Sequence, residues 1–249
     1  MTDLIRAELL KVRTTRAWWY YLGVIVLLTG IAVAGDTGSA EDERRPLLEF
    51  QLGLVEAAGI ASLIAIILGI TIVTTEFRHG TITPAVLVEP RRELVAAAKA
   101  VATTLLSLLF ALLGLAVVAA VAIPWLLALD VDLQLGESDM AVRAAQMLLL
   151  VVLWGLLGVA IGVLVQSQVA ALVGTLIWIF LVETLLVGVF GWLDIDGLTP
   201  YLPIQALDAV DGTGGEDLLS YWPGVGVSLA WIAVLGAAGT ERLRRRDIS

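Results

Sequence analysis

Residues 75–99 read Thr75-Glu-Phe-Arg-His-Gly-Thr-Ile-Thr-Pro-Ala-Val-Leu-Val-Glu-Pro-Arg-Arg-Glu-Leu-Val-Ala-Ala-Ala-Lys99, an island of charge between two long apolar runs. It carries Glu76, Arg78, His79, Glu89, Arg91, Arg92, Glu93 and Lys99, while the flanking runs carry almost no charge. Inside it, Ala85-Val86-Leu87-Val88 is closed at both ends by Pro84 and Pro90. Four apolar residues in a row have no physical reason to face water unless something covers them. Thr83 can cap a helix that starts at Pro84, a favoured first-turn position, and Pro90 ends it. The pattern has the form of a docking peg for a separate soluble protein. Its alternative is a connector whose Val86–Val88 tuck under neighbouring segments.

The runs around the island decide the fold class. Of 249 residues, 59% are hydrophobic, and the mean hydropathy is +0.94. A soluble domain cannot bury that fraction and still cover itself with polar atoms. Several runs exceed the ~18 apolar residues that cross a hydrocarbon core as helix. The alternation expected of membrane strands is missing. An all-α, polytopic membrane protein follows, forming a single transmembrane domain over 1–249. Its six spans are predicted near 18–34, 54–74, 100–127, 144–165, 169–191 and 222–239. The loop 75–99 lies between the second and third, and an outer loop or re-entrant region covers 192–221.

Basic residues orient the spans. Arg6, Lys11, Arg13 and Arg16 precede the first span; Arg78, Arg91, Arg92 and Lys99 lie in the island; Arg242, Arg244, Arg245 and Arg246 end the chain. These are twelve of the fifteen Lys and Arg, whereas fifteen of the 24 Asp and Glu fall in the three remaining long loops. The expectation is a cytoplasmic-membrane protein with both termini and the island on the cytoplasmic side. Ile5, Leu9 and Val12 share one helical face, which predicts an N-terminal helix lying on the inner surface. Trp18, Trp19, Tyr20 and Tyr21 suit an interfacial belt. Two sets of small residues predict close helix packing: Ala57, Ala61, Ala65 and Gly69, and the GxxxG pair Gly158 and Gly162.

Catalytic motifs are missing. There is no GxxxxGK[ST], HExxH or GxSxG, and neither Lys11 nor Lys99 follows a glycine loop. With no cysteine and one histidine, thiolate and most His-based metal sites are excluded. Two carboxylates lie within the spans, where a charge costs roughly 2.5–3.5 kcal/mol on insertion scales. Glu56 is two residues into the second span and can reach headgroups. Glu183 lies ~21 Å into the fifth, too deep for that. It must face protein or a water-filled path, so both residues are candidates for a substrate path.

In these features the chain resembles the type-2 ATP-binding-cassette (ABC) exporter permease family, particularly its compact six-span bacterial members. The resemblance rests on Ile5-Arg-Ala-Glu-Leu-Leu-Lys-Val-Arg-Thr-Thr-Arg16, on Thr75-Glu-Phe-Arg-His-Gly-Thr-Ile82, on Gln166-Ser-Gln168 leading to Trp178 and Glu183, and on Arg244-Arg-Arg-Asp-Ile248. It implies a coupling helix formed by Thr81, Ile82, Thr83, Pro84, Ala85, Val86, Leu87, Val88 and Glu89, pressed into a groove on a separate ATPase subunit. Glu76, Phe77, Arg78, His79, Gly80, Arg91 and Arg92 would support it. It further implies a second permease copy or related permease, with the second and fifth spans lining a path for a transported solute. ATP and Mg would be held by the partner, with no cofactor on this chain and no nucleic acid. Two other readings carry different expectations: an ion-coupled carrier using Glu183 as its proton site, and a non-transporting anchor or sensor subunit.

Overall fold

The computed structural model describes residues 1–79, 92–212 and 218–245, with the side chains at 92, 93 and 243 also left out. Among the described residues all regular structure is helical. The elements are α1 (Thr2–Thr14), α2 (Ala17–Ser39), α3 (Leu48–Arg78), α4 (Arg92–Ala128), α5 (Ser138–Val165), α6 (Gln168–Trp192), α7 (Pro203–Asp211) and α8 (Tyr221–Arg245). Helices α2 to α6 and α8 are each long and apolar enough to cross a membrane. The protein is thus a multi-pass, six-span membrane protein, as the composition predicts. One end of the bundle gathers α1, the end of α3, the start of α4 and the end of α8, with most of the described basic residues, and is called the basic end; the other is the acidic end.

Several spans run past their predicted limits. The second begins at Leu48 rather than Leu54, and the fourth at Ser138 rather than Ala144. Hydropathy marks where side chains become apolar, but a helix continues through polar turns while its backbone bonds hold. At ~1.5 Å per residue, the 37 residues of α4 reach roughly 55 Å, well beyond a ~30 Å hydrocarbon core. The start of α4 therefore projects toward the island. Two spans are not uniformly wound: α3 tightens into a 3-10 turn at Ala57–Ile60, and α6 widens into a π turn at Trp178–Val182.

The core is built on the contact of α3 with α5. An added Cβ at Gly69 would stand 2.2 Å from the Gly155 carbonyl oxygen, and one at Gly158 would stand 2.3 Å from that of Ile66. At Gly162 it would come within 3.0 Å of Val73 Cβ. Backbone thus comes against backbone along two turns of α5, and Ala61 and Ala65 are fully buried nearby. Ala57, at the start of the 3-10 turn, is only half-buried; its neighbour Ala58 is the inward residue, in phase with Leu54 and Ala61, and lies against Gly114 of α4. Gly155 adds a contact on another side: its carbonyl oxygen meets Gly69, while a Cβ on it would stand 2.3 Å from Ser107 Oγ of α4.

The aromatic cluster at the start of α2 divides by helical phase. Trp18 and Tyr21 turn inward onto Phe110, with ring centroids 5.6 Å and 6.2 Å away. Trp19 and Tyr20 face outward at 72% and 71% exposure, as an interfacial belt requires. At the acidic end, buried Gln51 joins two loops: its amide donates to the Arg45 and Asp132 carbonyls, and its Oε1 accepts from Gln134 N–H. Helix α6 is the least enclosed span, presenting Phe180, Leu185 and Trp192 outward.

Because backbone oxygen rather than a flexible side chain fills the space at Gly158, even a methyl there forces α3 and α5 apart. Gly158→Ala is expected to lower the thermal unfolding midpoint in detergent micelles by an amount equivalent to about 1–3 kcal/mol. Gly23→Ala, where nothing lies within 4 Å, should leave the midpoint unchanged or raise it.

Candidate functional site

Two polar assemblies interrupt the apolar bundle, one at each end. At the basic end, Lys99 stands on α4 two turns past the start of the helix and is 3% exposed. A buried ammonium is tolerable only if each N–H finds an acceptor. Lys99 Nζ lies 3.0 Å from Glu8 Oε2, 2.8 Å from Glu76 Oε1 and 3.2 Å from the Ile72 carbonyl oxygen. Lys11 Nζ reaches the same carboxylates, at 2.7 Å from Glu8 Oε1 and 2.6 Å from Glu76 Oε1. Two ammoniums and two carboxylates therefore interleave, joining α1, the end of α3 and the start of α4.

Each charge sits where its neighbours require it. Glu76 is in the last turn of α3, the wrong end of a helix for an anion, and the two lysines offset that. Burial pushes the Lys11 ammonium down, but its hydrogen bonds to Glu76 and Glu8 outweigh that and raise it above the ordinary 10.5. The face of α1 that carries the predicted apolar residues also turns Glu8 inward, and Val12 packs with Leu68, Ala102 and Phe110 in one core cluster.

The supporting residues around the island separate accordingly. Glu76 belongs to this lattice, and Phe77 packs on the core beside it. Arg78 is exposed and donates to Gln168 Oε1 at 3.3 Å, bridging to the start of α6. His79 closes α3, its N–H on the Thr75 carbonyl. Gly80, Thr81 to Glu89 and Arg91 lie outside the described residues, and Arg92 is described only as the first residue of α4. Glu8 and Lys11 escaped the sequence reading because both fall in a segment that reads as surface. The signal was Lys99: a lone cation followed by an apolar run needs partners, and the two buried carboxylates are those partners.

At the acidic end the centre is α7, a short helix that begins at Pro203 and ends with Gly212 in the left-handed conformation (φ 78°). Its first residues pack with core helices rather than facing solvent: Pro203 and Ile204 share a cavity wall with Ile66, Leu157 and Trp178. The opening N–H groups of a helix have no partner within it. Here every one is accounted for. Leu202 N–H donates to the Thr199 carbonyl and Ala206 N–H to that of Leu202, while Pro203 has none to place. Ile204 N–H and Gln205 N–H both donate to Glu183 Oε1, at 2.8 and 2.9 Å. Trp178 Nε1 donates to the other oxygen at 2.7 Å.

Glu183 is 2% exposed and serves as a cap brought from another helix, an anion at the positive end of α7. The far end is held by the opposite charge. Arg143, in the second turn of α5, donates from Nη1 to the Asp211 carbonyl at 3.1 Å, and its Nη2 lies 3.2 Å from Glu56 Oε1. Thus both candidate path residues, Glu56 and Glu183, are engaged in clamping α7, one through Arg143 and one directly. This helix lies within the 192–221 region that the sequence reads as an outer loop or re-entrant segment.

Asp208 completes the assembly. Burial, with the Asp211 and Glu183 carboxylates adding to it, pushes its carboxyl from the ordinary 3.8 up to about 6. Among the described residues, no three His, Asp or Glu side chains group as a metal site would need. What the two assemblies can do is mechanical: they fix helix ends to one another. No protein-family model matches the chain, and no curated protein matches it.

Two outcomes test the acidic-end assembly. Glu183→Leu leaves the Ile204 and Gln205 N–H groups buried without acceptors, at a cost of about 1–3 kcal/mol each. Amide hydrogen exchange at 204–206 should then accelerate while the middle of α5 stays protected. For Asp208, a carboxyl that binds its proton more tightly folded than unfolded makes stability fall as pH rises from about 4 to about 6. Above that window the ionised group is a standing cost. Asp208→Asn should therefore raise the unfolding midpoint at pH 7.5 and make little difference at pH 4.

Proposed function

We propose that the chain is the membrane-spanning subunit of an ATP-driven exporter of the type-2 ABC permease kind, working as one of a pair and driven by a separate ATPase. The residues 81–89 are the contact for that ATPase, and the basic end is the cytoplasmic end. The observation that supports this reading most is the Glu8–Lys11–Glu76–Lys99 lattice. It ties together the helix ends on both sides of the island and anchors them to the amphipathic N-terminal helix. A loop mounted on such a base passes a push to α3 and α4 together instead of flexing on its own. Nothing of this kind is needed by a passive connector.

Two further features agree with the reading. The outward face of α6 is apolar and exposed among the described residues, as a helix that meets a second copy or lipid would be. At the acidic end, α7 is held at both ends by side chains from α5 and α6 and so would follow when these spans move. The ion-carrier reading has less support. It needs Glu183 to exchange protons with a path, whereas both of its oxygens accept hydrogen bonds from the protein.

Leu87→Asp tests the reading directly. With the cognate ATPase co-expressed, the variant should insert normally yet lose most of the ATPase on co-purification. Unchanged co-purification would count heavily against the docking role. Lys99→Met tests the base of the mount, since removing one member of a buried ionic group costs about 3–5 kcal/mol. It should retain the ATPase but lose substrate-stimulated hydrolysis. If hydrolysis is stimulated as in the parent, the lattice does not transmit force.

A further inference from the structure

A cavity of about 270 Å3 lies between α5, α6 and α8, closed toward the acidic end by the first residues of α7. Leu157, Ile161, Ile204 and Leu235 form much of its wall, with the rings of Trp178 and Trp231. Only three side chains in that wall can make a hydrogen bond, and each already makes one within the protein. Thr175 Oγ1 donates to the Ala171 carbonyl, Trp178 Nε1 to Glu183 and Trp231 Nε1 to the Tyr201 carbonyl. Water gains nothing in such a space, and an apolar cavity of about 150 Å3 is already enough to hold benzene. The occupant that fits is hydrocarbon.

The other end of the cavity says what that hydrocarbon belongs to. Leu164 and Val165 bound it at the basic end, where Arg242 Nη1 donates to the Leu164 carbonyl at 2.7 Å. A second hollow, of about 450 Å3, shares Val165 and is lined by Gln166, Arg242 and Arg245. Arg245 Nε also holds Glu241 Oε1 at 2.6 Å, and Arg244 Nη1 lies 3.9 Å from the same carboxylate. Arg242 and Arg245 make the described lining of this hollow basic, and through Val165 it adjoins the apolar slot. Basic pockets between spans are where anionic headgroups bind.

We propose that this is a binding site for one anionic phospholipid, with its phosphate at Arg242 and Arg245 and one acyl chain in the cavity between α5, α6 and α8. The chain then touches Trp178, whose indole holds Glu183, and Ile204, whose N–H Glu183 accepts. A bound lipid at the basic end thereby steadies the cap of α7. The inference does not depend on the exporter reading.

The test uses the full chain in phosphatidylcholine nanodiscs doped with phosphatidylglycerol that carries a mid-chain diazirine, irradiated and mapped by peptide mass spectrometry. Labelling of Leu157, Ile161 and Trp231 should saturate, and unlabelled phosphatidylglycerol should suppress it where phosphatidylcholine with the same chains does not. Phe180 and Leu185, on the outward face of α6, report bulk lipid and should not saturate. Arg242→Gln combined with Arg245→Gln should abolish the headgroup preference. Gly174→Phe, which places a ring in the open space at Gly174, should remove labelling of the wall. Equal labelling by both headgroups overturns the proposal, as does wall labelling that rises in step with Phe180. The arginine pair is exposed and its variant folds on general grounds, so it decides the matter even if Gly174→Phe does not fold.

Discussion

Hydrocarbon offers no hydrogen bonds, so any polar group drawn into the bundle must be satisfied by another part of the chain. That constraint accounts for nearly every charged residue found away from the loops. The opening turn of α7 lies among core helices and exposes two N–H groups that its own backbone cannot use; Glu183 supplies the acceptor. The closing carbonyl at Asp211 receives Arg143, which in turn neutralises Glu56. Lys99 finds three oxygens and Glu76 two ammoniums. Placed singly, each of these groups would be a defect. Placed together, they lock helices into one geometry, since a buried ion has no solvent to accept it if its partner moves away.

The two assemblies lie on opposite sides of the α3–α5 contact, and that contact makes them one system. Gly69, Gly155 and Gly158 bring the two backbones together so closely that neither helix can slide without the other. Helix α3 ends in Glu76 and contains Glu56; α5 contains Arg143 and contacts the start of α6. Displacement at one end is therefore carried across the bundle through packed backbone, without any polar relay between.

Much of this was legible in the sequence, and the parts that were not share a cause. Spans, small-residue stripes and the charge asymmetry are local patterns, repeated over a turn or a helix, so composition and spacing expose them. The GxxxG pair at Gly158 and the anomalous depth of Glu183 were visible for that reason. What a buried charge pairs with is a different kind of information. Glu8 and Lys99 are 91 positions apart, and between Glu183 and α7 the chain runs through a 3-10 turn at Asp196–Tyr201 whose path no periodicity specifies. The 3-10 turn at Ala57–Ile60 was equally hidden. Trp18 and Trp19 are adjacent and chemically identical, yet one is core and one is not; only helical phase separates them.

The π turn at Trp178–Val182 ends immediately before Glu183. Such a turn bonds i to i+5 and so accommodates one more residue than regular helix, and shifting the register by one residue rotates everything beyond it by about 100° about the axis. Were this turn to unwind into ordinary helix, Glu183 would swing out of reach of Ile204 and Gln205, and Trp178 would lose its acceptor with it. The same few residues thus set the angular position of the acidic-end half of the fifth span and decide whether that half keeps its grip on its neighbour, which makes them a natural axle for any turning of that span.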